Sequence, residues 1–349
     1  MISTHERWFV ENTGGGDWDF FFSPLPLALT AAVLVVTVAW RLVAGRLPSP
    51  ELSPLRPLGR LAPYVPRLLA IHLGVSLLTL AATGGFLAHS LSLSDVPAGY
   101  AVGLVEGALG IWFITGVRLR PAAIGLVVLG PVALLAAGPV ALFESAALLG
   151  IAAFLVLLPP SELAMGRVEP DARTLSSALL ALRIGVATAL VTLAFSEKFT
   201  NPELAAAALE KYPRLDVLAQ LGIDVPHDTF VAIAGSVELM FGLLILSGAL
   251  PQVVVLVAAV PFNATLFLFG QTELIGHLPV YGVFLTLLVY GSSPVTAPEV
   301  SWLPRLGRAQ PTRITVSRLG DSVENDGRIR GADSNSAARS RASERRPGG

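Results

Sequence analysis

Three charged residues of this sequence lie inside otherwise apolar stretches, where burying a charge is most expensive. Arg183 and Glu238 occupy two such stretches in the C-terminal half, and Glu106 occupies one in the N-terminal half. Charged side chains inside a membrane span face the protein interior and pair with one another. We therefore expect the Arg183 guanidinium and the Glu238 carboxylate to meet inside the bundle. This pair is either a structural ion pair that fixes helix packing, or a polar site for a substrate headgroup, a quinone oxygen or a proton.

Two polar segments flank the apolar stretches of the C-terminal half and are expected on one side of the membrane. Residues 196–199, Ser-Glu-Lys-Phe, close the stretch that contains Arg183. Residues 271–279 connect the last two apolar stretches, and His227 precedes another. Together these segments predict a polar cluster over the C-terminal half. The candidate ligand-binding residues are Arg183, Glu238, Glu197, Lys198, Asn263, Glu273 and His277.

Cofactor sites are limited by what the sequence lacks. No cysteine is present, which excludes disulfides, iron–sulfur clusters and thiolate metal sites. A buried haem needs histidines at matching depth, but His72 lies near the end of an apolar stretch, whereas His89, His227 and His277 lie outside such stretches. No converging set of metal ligands is apparent, so no metal site is expected. A quinone stays compatible with the sequence, and no catalytic residue is assigned.

The elements that position these residues are transmembrane helices. The chain of 349 residues is 53% apolar and 14% charged, with a mean hydropathy of +0.67, which a water-facing surface does not tolerate. A helix crosses the hydrocarbon core with about 20 residues. The fold class is therefore an all-α integral membrane protein with about nine transmembrane helices. The predicted spans are residues 24–43, 68–88, 99–117, 122–137, 140–158, 175–196, 229–250, 252–269 and 278–290.

Arginines are concentrated in alternate loops, and this orients the bundle. Arg56 and Arg60 are among four arginines that follow the first span, and further pairs follow the third and fifth. Because basic loops favour the cytoplasmic side, we expect a multi-pass protein of the cell membrane with its N-terminus outside and its C-terminus in the cytoplasm. The first apolar stretch lacks a preceding basic region and is interpreted as a retained span. Residues 307–349 are polar and predicted to be a disordered basic tail.

An internal repeat organises the spans into two units. Residues 72–75 match residues 183–186 at an offset of 111. Six positions recur 132 residues later, namely Gly103, Val105, Glu106, Gly110, Gly116 and Gly138 as Gly235, Val237, Glu238, Gly242, Gly248 and Gly270. Four helices in each unit give a parallel repeat. The predicted domains are an N-terminal outer segment with the leading helix and its cytoplasmic loop at 1–61, a degenerate four-helix unit at 62–160, a second four-helix unit at 172–291, and the tail at 307–349.

Three short motifs mark the second unit. Arg-Ile-Gly at 183–185 opens its first helix, Ser-Glu-Lys-Phe at 196–199 closes that helix, and Val-Glu-Leu at 237–239 lies in the next, followed by Gly242 and Gly248. In these motifs the unit resembles the DoxX family of small four-helix membrane proteins. The first unit looks like a degenerate copy, so any site carried over belongs to the second unit.

The resemblance implies membrane redox chemistry near the quinone pool, since relatives include a subunit of thiosulfate:quinone oxidoreductase and partners of detoxifying redox enzymes. We expect a DoxX-like membrane subunit that binds a lipid-soluble molecule or anchors a redox enzyme subunit, and whether it is itself an enzyme stays open. Membrane lipids are expected partners, and nucleic acid is not. A small-molecule or lipid transporter is the competing hypothesis, because a parallel repeat with intramembrane charges also suits transport. A membrane scaffold without catalysis is the third.

Overall fold

Helices make up nearly all of the described chain. The computed structural model describes residues 9–10, 16–158 and 167–304, so the predicted tail at 307–349 lies outside the described residues. Seven helices of this part are long and apolar enough to cross a membrane, as expected of a multi-pass membrane protein. They are Pro24–Ala44, Ser53–Thr83, Leu119–Glu144, Ala172–Phe199, His227–Ser247, Pro251–Phe269 and Gln271–Ser292. Two further apolar helices, Gly99–Thr115 and Ala146–Leu157, are shorter.

The elements follow one another in a simple order. The α-helices are α1 Trp18–Phe21, α2 Pro24–Ala44, α3 Val65–Thr83, α4 Gly99–Thr115, α5 Leu119–Glu144, α6 Ala146–Leu157, α7 Ala172–Leu193, α8 Pro202–Lys211, α9 Val217–Gln220, α10 His227–Ser247, α11 Pro251–Phe269, α12 Gln271–Ser292 and α13 Ala297–Val300. Three 3₁₀ segments are Ser53–Tyr64, Leu93–Asp95 and Pro213–Leu215, and a π-helical turn, Ala194–Phe199, extends α7. Strands β1 Gly85–Phe86 and β2 Ala88–Ser92 form a short antiparallel hairpin after α3.

Two local features differ from the sequence prediction. The segment at 271–279, predicted to connect the last two spans, is instead the first part of α12, which begins at Gln271 and includes Pro279. Gly270 makes the turn in a single residue with φ of 61°, a conformation that costs glycine little. The hairpin was not predicted; it follows Gly84, whose left-handed conformation ends α3.

The connections divide the bundle into two ends. The hairpin, the π-helical turn, the α5–α6 junction and the α11–α12 junction lie at one end, which we name the hairpin end. The loops after α2, α4, α10 and α12 lie at the opposite end, as do the last residue of α6 and the first residue of α7; we name it the arginine end. Asp171 caps the start of α7 there by accepting backbone N–H bonds from Arg173 and Thr174.

Small residues let the helices approach closely. Gly74 of α3 lies against Gly110 of α4, and Gly150 of α6 lies against Gly185 of α7. A Cβ atom added to Gly150 would be only 2.9 Å from the Gly185 Cα. Glycine pairs of this kind allow membrane helices to pack backbone to backbone, where dispersion contacts rather than the hydrophobic effect hold them together.

The helix contacts show a reciprocal pattern. Within residues 65–157, α3 packs on α4 and α5 packs on α6; within residues 172–292, α7 packs on α10 and α11 packs on α12. Between the two halves, α6 packs on α7 and α12 packs on α3. The last helix of each half therefore contacts the first helix of the other half.

Backbone conformation also matches between positions that are 132 residues apart. Three such pairs have positive φ on both sides, namely Gly116 with Gly248, Arg118 with Leu250, and Gly138 with Gly270. Arg118 and Leu250 are informative because residues with a Cβ rarely adopt this conformation. In both cases the strained residue follows a left-handed glycine by two positions and precedes the next helix.

Candidate functional site

The buried carboxylate of Glu238 pairs with Lys198. The Lys198 Nζ lies 3.2 Å from Glu238 Oε2 and 3.9 Å from Glu197 Oε2, and all three side chains are at least 97% buried. The ion pair expected between Glu238 and Arg183 is not formed within the described residues. Glu238 and Arg183 lie at different depths, because α7 and α10 are antiparallel and Arg183 is level with Gly248 at the arginine end.

The π-helical turn is what brings Lys198 inward. Over Ala194–Phe199 the chain is wound more widely than an α-helix, and this part of the chain buries Glu197, Lys198 and Phe199 together. Gly235 of α10 leaves room for these side chains. A Cβ atom added to Gly235 would lie 3.2 Å from the Lys198 Cβ and 3.2 Å from the nearest atoms of the Phe199 ring. A π-turn in a helix often marks a functional position.

Arg183 is fully buried but belongs to a separate environment. Its Nη2 donates a hydrogen bond of 2.6 Å to the carbonyl oxygen of Trp302, just after α13. Arg183 was predicted as part of the same site as Glu238, and the structure separates the two.

A central cavity of about 60 Å³ lies between the two halves at the hairpin end. Its walls come mainly from α6, α7 and α12, with Leu80 of α3, Leu87 and Ala88 of the hairpin and Phe262 of α11. Most of the lining is apolar; Glu144, Ser145 and His277 are the lining residues with polar side chains. Four pairs of lining residues are 132 positions apart, namely Glu144 with Gly276, Ser145 with His277, Ala147 with Pro279, and Leu148 with Val280.

His277 connects this cavity to a second buried polar group. Its Nδ1 lies 3.3 Å from Glu273 Oε1 one helical turn earlier, and the Phe262 ring packs edge-on against the imidazole. His89 of the hairpin hydrogen-bonds with the backbone of Thr272 and interacts with Glu273 and His277. Burial lowers the pKa of His89 below its ordinary value, and the Thr272 bond and the Glu273 carboxylate partly oppose this.

Two residues predicted for the polar cluster lie elsewhere. Asn263 is exposed, and its side-chain amide donates to the Ala259 carbonyl of the same helix at 2.7 Å. Phe262, its neighbour, faces the cavity instead. His227 is exposed at the start of α10. Glu197, Lys198, Glu273 and His277 are all buried at the hairpin end, but they form two groups rather than one.

Sequence reasoning missed Glu144 and His89, which join the two halves. Ser196 of the π-helical turn donates a 2.6 Å hydrogen bond to Glu144 Oε1, so the Lys198 group is next to a wall of the cavity. In the other half, the hairpin reaches the start of α12 through His89. Neither residue has a local signal in sequence, because each contact joins segments more than 50 residues apart.

Glu106 mirrors Glu238 in the first half. It is fully buried, and its Oε1 accepts a 2.8 Å hydrogen bond from the backbone N–H of Leu87. Leu87 precedes Lys198 by 111 positions, the same offset that separates the first helices of the two halves. In each half, a buried glutamate of the second helix therefore contacts the segment that follows the first helix. Glu106 contacts a backbone amide, whereas Glu238 contacts the Lys198 ammonium group.

Chemically, the arrangement offers a few hydrogen-bonding groups in a mostly apolar cavity, with two buried polar groups beside it. Among residues 9–10, 16–158 and 167–304, no three His, Asp or Glu side chains are grouped to hold a metal ion. Comparison of the chain with protein-family models, with curated proteins and with solved structures finds no match.

Proposed function

We propose that the chain crosses the cell membrane nine times, as one leading helix followed by two parallel four-helix units. The units are α3–α6 and α7, α10, α11 and α12, and they meet around an axis along the membrane normal. The matched left-handed positions, the reciprocal helix contacts and the paired cavity residues support this duplication. The N-terminus is outside and the C-terminus cytoplasmic. Arginines at the arginine end, among them Arg56, Arg60, Arg118 and Arg120, support that orientation.

Within this architecture, we propose a DoxX-like membrane subunit that binds a lipid-soluble molecule in the central cavity and serves quinone-linked or detoxifying redox chemistry. The single observation that carries the proposal is the cavity itself, which is apolar apart from a few polar groups and lies where the two units meet. Pockets of this composition orient an apolar ligand through a small number of hydrogen bonds. His277 and Glu144 are the groups that contact the polar end of the ligand.

The size of the cavity defines what binding requires. A cavity of about 150 Å³ accommodates benzene, whereas this one has about 60 Å³. A quinone ring therefore enters only when the walls move apart.

Photolabelling of the purified protein with a photoreactive ubiquinone analogue tests this function. His277→Leu removes the buried imidazole, and His227→Leu removes an exposed one as a matched control. Losing a hydrogen bond to the ligand costs about 1–3 kcal/mol, which corresponds to about 5- to 150-fold in affinity. We expect His277→Leu to weaken labelling by that factor and His227→Leu to leave it unchanged. Labelling that maps outside the cavity-lining peptides, or no specific labelling, rejects the proposed ligand class.

Transport is the second candidate function. It is favoured by the position of the cavity at the interface of two related units, which is where parallel-repeat transporters bind their substrates. The buried Lys198–Glu238 pair beside it resembles the intramembrane charges that accompany ion or proton movement. Flux in proteoliposomes that is lost with Glu238→Gln supports transport. Quinone-dependent activity that needs an added redox partner, without flux, supports the subunit.

A further inference from the structure

The buried carboxylate of Glu273 depends on a histidine for charge compensation. Glu273 Oε1 lies 3.3 Å from His277 Nδ1, and each of the two side chains is only 1% exposed. Within the described residues, no lysine or arginine forms an ion pair with Glu273, and its Oε2 has no hydrogen-bond partner. A buried carboxylate without a compensating charge is costly in a low-dielectric interior. The Glu273–His277 pair therefore favours a state in which the two groups share one extra proton.

The groups around the pair limit it to a single extra proton. His89 of the hairpin interacts with both Glu273 and His277, and a positive charge on one imidazole disfavours a positive charge on the other. From α11, the apolar ring of Phe262 packs against His277. Further titratable side chains of the elements packed here are Tyr281 of α12, which interacts with Glu273, Glu144 of the α5–α6 junction, and His72 of α3, which lies against Gly282.

The shared proton decides what His277 offers to the central cavity, which the imidazole also lines. A neutral imidazole has one N–H group and a protonated imidazole has two. When the shared proton is present, on Nδ1 or on the Glu273 carboxylate, Nε2 keeps its own hydrogen and is a donor. When the proton is lost, the remaining hydrogen stays on Nδ1 beside the carboxylate, and Nε2 becomes an acceptor.

We propose that Glu273 and His277 hold one exchangeable proton that makes His277 a hydrogen-bond donor to the cavity ligand, so that the polar end of the ligand is a carbonyl-type acceptor oxygen. This inference rests on the proposed function and specifies its ligand, an oxidised quinone rather than its hydroquinone. Glu273 is a positioning residue, because it acts through His277. Loss of the proton as the pH rises turns the Nε2 lone pair towards the carbonyl oxygen, and binding weakens.

Photolabelling of the purified full chain in detergent with a photoreactive ubiquinone analogue, repeated across the pH range, tests the proposal. The quinone ring has no group that titrates near neutral pH, so a change in labelling reports on the protein. We expect labelling of the cavity-lining peptides to weaken by about fivefold or more between about pH 6 and about pH 8.5, because one hydrogen bond is lost.

Glu273→Gln is expected to abolish this pH dependence. The glutamine amide pairs with either neutral form of His277, so Nε2–H stays available at every pH. Labelling of Glu273→Gln at about pH 8.5 is therefore expected to exceed that of the wild type by about fivefold. Glu203→Gln is the matched control, because Glu203 is an exposed glutamate in the first turn of α8, as Glu273 is in the first turn of α12. It is expected to keep the wild-type pH response.

His277→Gln replaces this test if Glu273→Gln fails to fold, because an amide donor at that position does not titrate and its labelling is expected to be independent of pH. Specific labelling of the wild-type cavity that is equal at the two pH values overturns the proposal and leaves the ligand class standing. Labelling of Glu273→Gln that still falls with pH also overturns it. Absence of specific labelling at every pH rejects the proposed function, and this inference with it.

Discussion

Lys198 and Glu238 form a buried ion pair in which the ammonium nitrogen is 3.2 Å from the carboxylate oxygen. The two residues come from α10 and from the π-helical turn that extends α7, so the pair links α7 to α10. Glu197 is 3.9 Å from the same ammonium group. The group thus combines two carboxylates and one ammonium in a region with almost no solvent access.

Replacing Lys198 by Met is expected to destabilise the protein by about 3–5 kcal/mol, because Glu238 then remains buried without its ammonium. The double variant Lys198→Met with Glu238→Gln removes both charges and is expected to recover most of this loss. With the single variant Glu238→Gln added, denaturant unfolding in detergent gives three values that complete a double-mutant cycle. Lys211→Met, at an exposed lysine of α8 that donates to the Phe9 carbonyl oxygen, is the control and is expected to change stability by no more than about 1 kcal/mol. Additive effects of the two substitutions contradict a direct pair.

The partner of Glu238 could have been inferred from the sequence by considering depth. In the antiparallel α7 and α10, close contacts join Gly248 with Arg183, Gly242 with Leu190, and Gly235 with Lys198. Glu238 lies one turn beyond Gly235, so a residue near the end of α7 reaches it and Arg183 does not. Hydropathy and the distribution of arginines identify the spans without any knowledge of relative depth, because both are properties of single segments. Which side chains form an ion pair depends on the relative depth of residues on two helices, so the ends of both helices must be placed correctly.

The links between the halves were less accessible to sequence reasoning. The Glu144–Ser196 bond and the His89–Thr272 bond depend on how residues 65–157 and residues 172–292 pack against each other, and no local pattern encodes that geometry. The offset of 132 positions nevertheless contained a clue, because Ser145 and His277 both line the cavity.

Glu106 is predicted to hold the hairpin by accepting a hydrogen bond rather than by carrying charge. Glu106→Gln keeps an amide oxygen for the Leu87 N–H and is expected to alter stability by less than about 1 kcal/mol. Glu106→Leu leaves the buried Leu87 N–H without an acceptor and is expected to cost about 1–3 kcal/mol. Unfolding measurements and amide hydrogen exchange at Leu87 distinguish the two variants. If Glu106→Gln is as damaging as Glu106→Leu, the negative charge itself is required.

Gly150 is predicted to control the distance between α6 and α7. Its Cβ in Gly150→Ala would be 2.9 Å from the Gly185 Cα and 3.1 Å from the Leu182 carbonyl oxygen, so the backbones of α6 and α7 must separate. Overpacking of this kind costs about 1–3 kcal/mol. Gly130→Ala is the matched control in α5, since its nearest neighbour would be a Leu142 methyl group 3.9 Å away. Equal unfolding midpoints for the two variants would show that α6 and α7 are not in backbone contact.

The junction between the hairpin and α12 is predicted to weaken in mild acid through His89. Burial holds the pKa of His89 below its ordinary value, so the unfolded chain takes up a proton at a pH where the native chain does not. The contribution of His89 to stability is complete above about pH 6.5, its unfolded value, and is lost as the pH falls through the lower native value. Unfolding midpoints measured between about pH 7.5 and 5 are expected to decline less in His89→Asn than in the wild type.

The control is His227→Asn, at an exposed histidine, which is expected to show the same decline with pH as the wild type. Parallel curves for His89→Asn and the wild type would assign the acid sensitivity to other groups.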